Sequence, residues 1–260
     1  MSSMSGGIEV DICVIGAGSG GLSVAAGASQ LGASVALVER RLMGGDCLNF
    51  GCVPSKALLA AGKSAHNIAG AARFGITSAA PGIDQKAVRQ HVRDVIAAIA
   101  PHDSIERFRA LGVNVILGAA RFTGPREIQV DGQTIRARRF VVATGSSPVV
   151  PAIPGLDGVP YLTNETLFEY DQPMAHLIVI GGGPIGVEMS QAHRRLGVAV
   201  TLIEKTRLLP KDDPELTQVV HDRLVSEGVE VMTGIGVEGV AAEGSGAAVQ
   251  LDNGASVSGS

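Results

Sequence analysis

The sequence predicts an α/β protein of two domains, each holding a parallel sheet with β-meander or hairpin insertions. Three observations predict it. First, the chain matches itself without a gap when shifted by 165 residues, so that residues 12–40 fall on residues 177–205. Val14, Ile15, Gly16, Gly18, Gly21, Leu31, Gly32, Val35, Leu37 and Glu39 recur as Val179, Ile180, Gly181, Gly183, Gly186, Leu196, Gly197, Val200, Leu202 and Glu204. A repeat this long is two copies of one supersecondary unit, not a solenoid. Second, each copy runs from a short apolar stretch through a glycine turn and a helix-length segment to a second β-branched stretch, the order of a parallel β–α–β unit. Third, 45% of the 260 residues are hydrophobic and 18% are charged, against a usual charged share of about 25%, so a sizeable core can be buried.

The glycines carry the next step. There are 35 of them, with no collagen-like period. In each copy the first strand enters a Gly-x-Gly-x-x-Gly turn: Gly16, Gly18 and Gly21 in one, Gly181, Gly183 and Gly186 in the other. The first glycine permits the tight turn, the second lets backbone approach a pyrophosphate, and the third lets the helix pack against the strand. The helix N-terminus then offers unpaired N–H groups and a positive dipole end to the phosphates. An acid follows 18 residues after the last glycine in both copies, Glu39 and Glu204, suited to a ribose hydroxyl. The units therefore read as two Rossmann-like dinucleotide-binding domains. Ile185, inside the second turn, is grouped with its binding residues.

Between the copies, residues 84–100 have helical spacing (Val88, Val92, Val95, Ile96, Ile99) that Pro101 stops. Residues 102–111 read as a second short helix closed by Gly112, and 113–117 as a strand. Residues 126–140 alternate about Asp131-Gly132, a strong hairpin signal, and 140–143 form a buried strand leading to Thr144-Gly145. The Pro-rich crossover at 148–160 marks a boundary between domains at 1–150 and 151–260.

A net charge of −4 argues against a nucleic-acid binder, which would normally show a basic face. Residues 12–38 carry no charge, but six glycines and four serines within them, and Glu9 and Asp11 before them, argue against a membrane span or signal peptide. Three cysteines do not make a secreted disulfide framework, and a cytoplasmic protein is expected.

Chemistry concentrates after the first unit, in the segment Gly44-Gly45-Asp46-Cys47-Leu48-Asn49-Phe50-Gly51-Cys52-Val53-Pro54-Ser55-Lys56. Two cysteines five positions apart read as ordinary buried thiols, as zinc ligands, as a static disulfide or as a redox dithiol. No second pair or local histidine cluster completes a zinc site, so no metal is expected, and a reducing compartment opposes a static bond. The surroundings favour the dithiol. Pro54 reads as the first residue of a helix, which places Cys52 at its N-terminus with Lys56 a turn on, and both favour thiolate. Cys13, inside the first strand, reads as core.

The cysteine segment, together with the N-terminal Gly-Ala-Gly-Ser-Gly-Gly, Ala143-Thr144-Gly145 and the stretch from Gly181 to Glu188, resembles the class I pyridine nucleotide–disulfide oxidoreductases over essentially the whole chain. Its cysteine segment is closest to dihydrolipoamide dehydrogenase and mercuric-reductase-like members. The resemblance implies that the first domain binds FAD through Gly16, Gly18, Gly21, Glu39, Arg40, Gly45, Asp46, Thr144 and Gly145, with Glu39 on the adenosine ribose. Cys52 is then the thiol at the flavin and Cys47 the interchange thiol that attacks the substrate. Lys56 is implied beside the flavin, paired with Glu188, which also lies near the nicotinamide. The resemblance further implies that electrons pass from NAD(P)H through FAD to the Cys47–Cys52 disulfide and on to a small-molecule disulfide or a metal ion, or in reverse.

Glu204 accepts from a free 2′-hydroxyl and repels a 2′-phosphate, which favours NAD(H) over NADP(H). Lys205 and Arg207 follow at once, as partners for a phosphate or as solvated loop cations. The resemblance also implies a continuation: the last strands of the nicotinamide domain, a second FAD-contacting segment and a C-terminal interface domain. That domain carries a His–Glu pair reaching the partner's cysteines in a homodimer. Without it, the chain reads as a nucleotide-binding flavoprotein fragment. The six histidines here (His66, His91, His102, His176, His193, His221) read as surface or helix-end residues.

Overall fold

A computed structural model describes residues 7–260. Its contacts divide the chain into two compact units, one of residues up to Pro54 with Arg93–Ser147, the other of Ser55–Val92 with Pro148–Ser260. The chain order is β1 (Ile8–Ile15), α1 (Ser19–Gln30), β2 (Val35–Glu39), α2 (Gly45–Asn49), α3 (Cys52–Ala69), α4 (Gln85–Ile99), α5 (Ile105–Ala110), β3 (Asn114–Leu117), β4 (Ala120–Gly124), β5 (Glu127–Val130) and β6 (Gln133–Val142). It continues with α6 (Asn164–Leu167), β7 (His176–Ile180), α7 (Pro184–Arg195), β8 (Ala199–Glu204), α8 (Pro214–Ser226), β9 (Glu230–Thr233), β10 (Val237–Glu243), β11 (Gly246–Leu251) and β12 (Ser256–Gly259).

The first unit is a six-stranded sheet in the order β3-β2-β1-β6-β5-β4. Strands β3, β2, β1 and β6 run parallel, and β6, β5 and β4 form an antiparallel meander. All of β2 is buried, as a parallel strand covered on both faces requires. On one face Val14, Leu22, Val35, Leu37 and Phe108 pack with α1 and α5; on the other Val10, Cys13, Ile128 and Ile135 pack beneath the meander. Asp131 (φ 46°) and Gly132 (φ 84°) make the tight hairpin turn between β5 and β6. The hairpin and the following strand are not separate elements. β6 is one ten-residue strand that pairs with β5 at its start and lies along β1 from Ile135 to Val142, so one run serves both neighbours. β4 has no counterpart in the sequence reading, because its residues alternate poorly.

In the second unit β7, β8 and β9 form a parallel three-stranded sheet, and β10, β11 and β12 an antiparallel one. Leu202, Leu224 and Val229 fill one core cluster, and Leu156, Ile203, Val240 and Leu251 another. Residues 55–92 cluster with this unit; there Gly62 of α3 faces the carbonyl of Ala192 on α7. His193 is a helix-end residue, in the last turn of α7, and not a surface one: it is buried, its Nδ1 lies 2.9 Å from the Met189 carbonyl, and burial holds its pKa below the usual value.

The repeat in sequence is a repeat in geometry. Gly16 and Gly181 have φ of 107° and 113°, and Gly32 and Gly197, just past the two helices, 86° and 88°. Gly21 and Gly186 are tight for the same reason. A Cβ on Gly21 would collide with the carbonyl oxygen of Gly16, and one on Gly186 with that of Gly181. Gly27, in the middle of α1, has no atom within 4 Å of its Cβ position. Gly21→Ala is therefore expected to destabilise the protein by about 1–3 kcal/mol, and Gly27→Ala to stabilise it by about 0.5–1 kcal/mol. Urea midpoints of the two variants check both signs.

Candidate functional site

Each glycine turn is held from behind by the acid that ends the second strand. Glu39 is buried; its Oε2 accepts from the Ala17 N–H at 2.7 Å and its Oε1 from the Arg41 N–H at 2.7 Å. In the second unit Glu204 accepts from the Gly182 N–H at 2.8 Å through Oε2, and from the N–H and hydroxyl of Thr206 at 2.9 and 2.8 Å through Oε1. Burial pushes the Glu204 carboxyl up, but these donors outweigh it and hold its pKa below the usual value. Glu204 thus stays ionised beside the turn. Each carboxylate has about four acceptor positions, so capacity beyond these bonds remains for ribose hydroxyls.

The second glycine of each turn has a different status from the first and third. Gly18 and Gly183 are the N-caps of α1 and α7, in extended backbone that any residue adopts. Around Gly183 no atom lies within 4 Å of a built Cβ, and around Gly18 only Gly45 Cα does, at 3.8 Å. The protein's own packing leaves that space open beside the helix N-terminus, where a pyrophosphate needs close backbone approach. The residues present fit a dinucleotide at both turns. Ile185, 58% exposed, follows Gly183 on α7. At the first turn, β6 ends alongside: the Ala143 N–H donates to Ile15, and Thr144 Cα lies 3.3 Å from the Cβ position of Gly16. Gly145 follows with φ 68°, and Arg40 is exposed next to Glu39.

The cysteine segment is built directly on the first turn. Gly44 and Gly45 have φ of 84° and 56°, the Gly44 N–H donates to Ala17, and Gly44 pairs with Gly18 as an isolated parallel bridge. A Cβ on Gly45 would lie 2.6 Å from Gly18 Cα. Asp46 and Cys47 then form the first turn of α2, closed by Asn49 Nδ2 donating to the carbonyls of Met43 and Gly45. Cys52 is the first residue of α3 and exposed, and Cys47 is half-buried. Pro54 is the third helical residue, not the first; its missing N–H costs nothing anywhere in the first turn.

The two sulfur groups interact. Burial first, then the Cys52 side chain, pushes the Cys47 thiol up to about 11, against a lowering hydrogen bond from the Cys52 backbone. Burial thus favours the thiol form of Cys47 over the thiolate at neutral pH. Cys13, fully buried in β1, is likewise pushed up to about 11 by burial.

In the second unit Lys56 Nζ lies 2.6 and 2.8 Å from the two carboxylate oxygens of Glu188. Their side chains are 60% and 33% exposed. A solvated pair of this kind contributes about 0–1 kcal/mol, so it orients two side chains more than it stabilises the fold. Arg207 is not a freely solvated loop cation: its guanidinium donates to the carbonyls of Leu209, Pro210 and Asp212 and to the hydroxyl of Thr217 in α8. Among the described residues, no group of three or more His, Cys, Asp or Glu side chains forms a metal site, and no helix is long and apolar enough to cross a membrane.

Each of the two glycine turns is thus backed by an acid, and a cysteine pair is seated on the first. The Pyridine nucleotide-disulphide oxidoreductase family model matches residues 10–260, and the chain belongs to that family. It is 36% identical over 240 residues to a mercuric reductase of Bacillus cereus, covering 92% of this chain and 38% of the relative. To a dihydrolipoyl dehydrogenase of Thermus scotoductus it is 40% identical over 226 residues, 86% of this chain and 48% of the relative. The HOCl-induced flavoprotein disulfide reductase RclA from Escherichia coli superposes with a TM-score of 0.81 at 25% identity, over 96% of this chain and 54% of that one. The chain thus spans about half the length of these relatives, or less.

Two outcomes follow. Gly183→Ala is expected to move stability by less than about 0.5 kcal/mol while weakening NADH binding about tenfold, measured by urea midpoint and isothermal titration. In reduced protein, Cys47 alkylation by iodoacetamide is expected to rise about tenfold per pH unit until pH nears 11, because a raised pKa delays thiolate formation. Site-resolved mass spectrometry against pH checks this; a plateau near pH 8.5 contradicts it.

Proposed function

We propose that this chain is the nucleotide-binding, dithiol-bearing part of an FAD-dependent NAD(P)H:disulfide oxidoreductase. The observation that carries the reading is the seating of the Cys47–Cys52 segment on the Gly16–Gly21 turn through Gly18, Gly44 and Gly45. Residues 1–150 are assigned to FAD, held by Gly16, Gly18, Gly21, Glu39, Arg40, Gly45, Asp46, Thr144 and Gly145. Residues 151–260 are assigned to the nicotinamide nucleotide, held by Gly181, Gly183, Ile185, Gly186 and Glu204. When bound, FAD supplies the two-electron relay between nicotinamide and dithiol.

The protein's own groups do the rest. NAD(P)H and one proton convert the Cys47–Cys52 disulfide into two thiols and leave NAD(P)⁺. Cys47 then attacks the substrate disulfide as thiolate, a mixed disulfide forms, and Cys52 resolves it, releasing the reduced substrate. Lys56 and Glu188 hold each other in place. NAD(H) is the favoured nucleotide, because the ionised Glu204 repels a 2′-phosphate and Arg207 is already committed to its loop.

A disulfide of the lipoamide type is the proposed substrate class. The mercuric reductase relative supports a second reading, reduction of a metal ion. The whole protein is proposed to be a cytoplasmic homodimer. Oxidised, FAD-loaded protein under anaerobic NADH is expected to gain two thiols that react with a colorimetric disulfide reagent. Cys47→Ser and Cys52→Ser should each abolish the NADH-dependent gain; thiols that appear equally without NADH would overturn the reading. Parallel assays with lipoamide and Hg(II) separate the two substrates.

A further inference from the structure

The loop after β8 is held by one side chain. Arg207 Nη2 donates to the carbonyls of Pro210 and Asp212 at 2.8 and 2.9 Å, and Nη1 donates to Thr217 Oγ1 at 3.2 Å and to the Leu209 carbonyl at 3.5 Å. Thr217 is buried in α8, so the clasp ties the loop to that helix as well as to itself. Within it Leu209 has φ 48°, a left-handed conformation that a leucine keeps only where its surroundings enforce it.

That conformation does something specific. It presents the Leu209 N–H to the carbonyl of Gly182 at 2.8 Å. Leu208 packs on the same glycine, whose Cβ position lies 2.6 Å from Leu208 Cδ2. The Gly182 N–H, on the other side of the residue, donates to Glu204. Gly182 sits between the first two glycines of the turn, so it is clamped by the loop through its carbonyl and by the acid through its N–H.

We propose that Arg207 is a positioning residue for nicotinamide-nucleotide binding: by enforcing the left-handed turn at Leu209 it fixes Gly182, and with it the glycine turn and Glu204, before the nucleotide arrives. The inference rests on the reading of the second glycine turn as the nucleotide site. Arg207 acts through backbone and does not meet the nucleotide. A cation serving only to attract phosphate would be replaceable by lysine, whereas an ammonium group cannot reach four acceptors spread over residues 209–217.

The test is NADH binding by isothermal titration, with the thermal midpoint and FAD affinity recorded alongside. Arg207→Lys is expected to raise the Kd for NADH about tenfold, the factor corresponding to the strain of one left-handed residue, and to leave FAD affinity unchanged. Adding Leu209→Gly, a residue that takes the turn at no steric cost, is expected to bring the Kd back to within about threefold of the unaltered chain. That rescue is not something a general loss of stability would give. Leu209→Gly alone is expected to bind NADH as the unaltered chain does. An unchanged Kd in Arg207→Lys, a double variant as weak as the single one, or weakened binding in Leu209→Gly overturns the proposal. Failure of the unaltered chain to bind NADH overturns the underlying nucleotide site instead, and needs no variant to be seen.

Discussion

The bond between the carboxylate that ends a strand and the backbone of a glycine turn, Glu39 to Ala17 and Glu204 to Gly182, is the constraint on which the rest of the structure hangs. A turn rich in glycine has the most conformational freedom to lose on folding. Something must fix it, and sterics act from one side: Gly16 and Gly21 in the first unit leave no room for a side chain against neighbouring carbonyls. The carboxylate acts from the other, as a charge-assisted acceptor aimed at the N–H between the first two glycines. Because the acid ends β2 or β8, the register of the parallel strands also sets the shape of the turn.

The two units then diverge in what they add. In the first, the segment after β2 returns to the turn and lays Gly44 and Gly45 against Gly18, which brings Cys47 and Cys52 to the same place. In the second, the segment after β8 forms a loop closed by Arg207 and braces Gly182 instead. One motif has thus been completed by a cysteine pair and the other by a rigid support. The different pressures are visible in the charges. Glu204 is held ionised by its donors, while burial keeps Cys47 protonated.

Much of this was legible in the chain itself. The glycine spacing, the strand–helix–strand order and the two acids are local patterns, and the structure brings them together as read. The Asp131-Gly132 hairpin was legible for the same reason. What was not legible depends on long-range closure. The Gly44-Gly45 doublet announces an unusual backbone, but nothing near it says that Gly18 is its partner. The clustering of residues 55–92 with the second unit follows from contacts between α3 and α7 such as that of Gly62 with Ala192, which no local period encodes. A leucine gives no warning of φ 48°, and an arginine after an acid at a strand end looks like a solvated loop cation until its four acceptors are seen. His193 carries no sequence mark of burial beyond its place on the inner face of α7.

The contact of Gly18 with Gly44 and Gly45 has a consequence for how the protein can change. A Cβ on Gly45 would lie 2.6 Å from Gly18 Cα, and one on Gly44 would meet the Leu48 side chain, so the cysteine segment is seated on the first turn at two positions that have no room for a side chain. The second turn is under no such bond, because the space beside Gly183 is bounded by no atom of the protein. A Cβ at Gly183 therefore meets no atom of the protein, whereas one at Gly45 requires the Gly18 backbone to move.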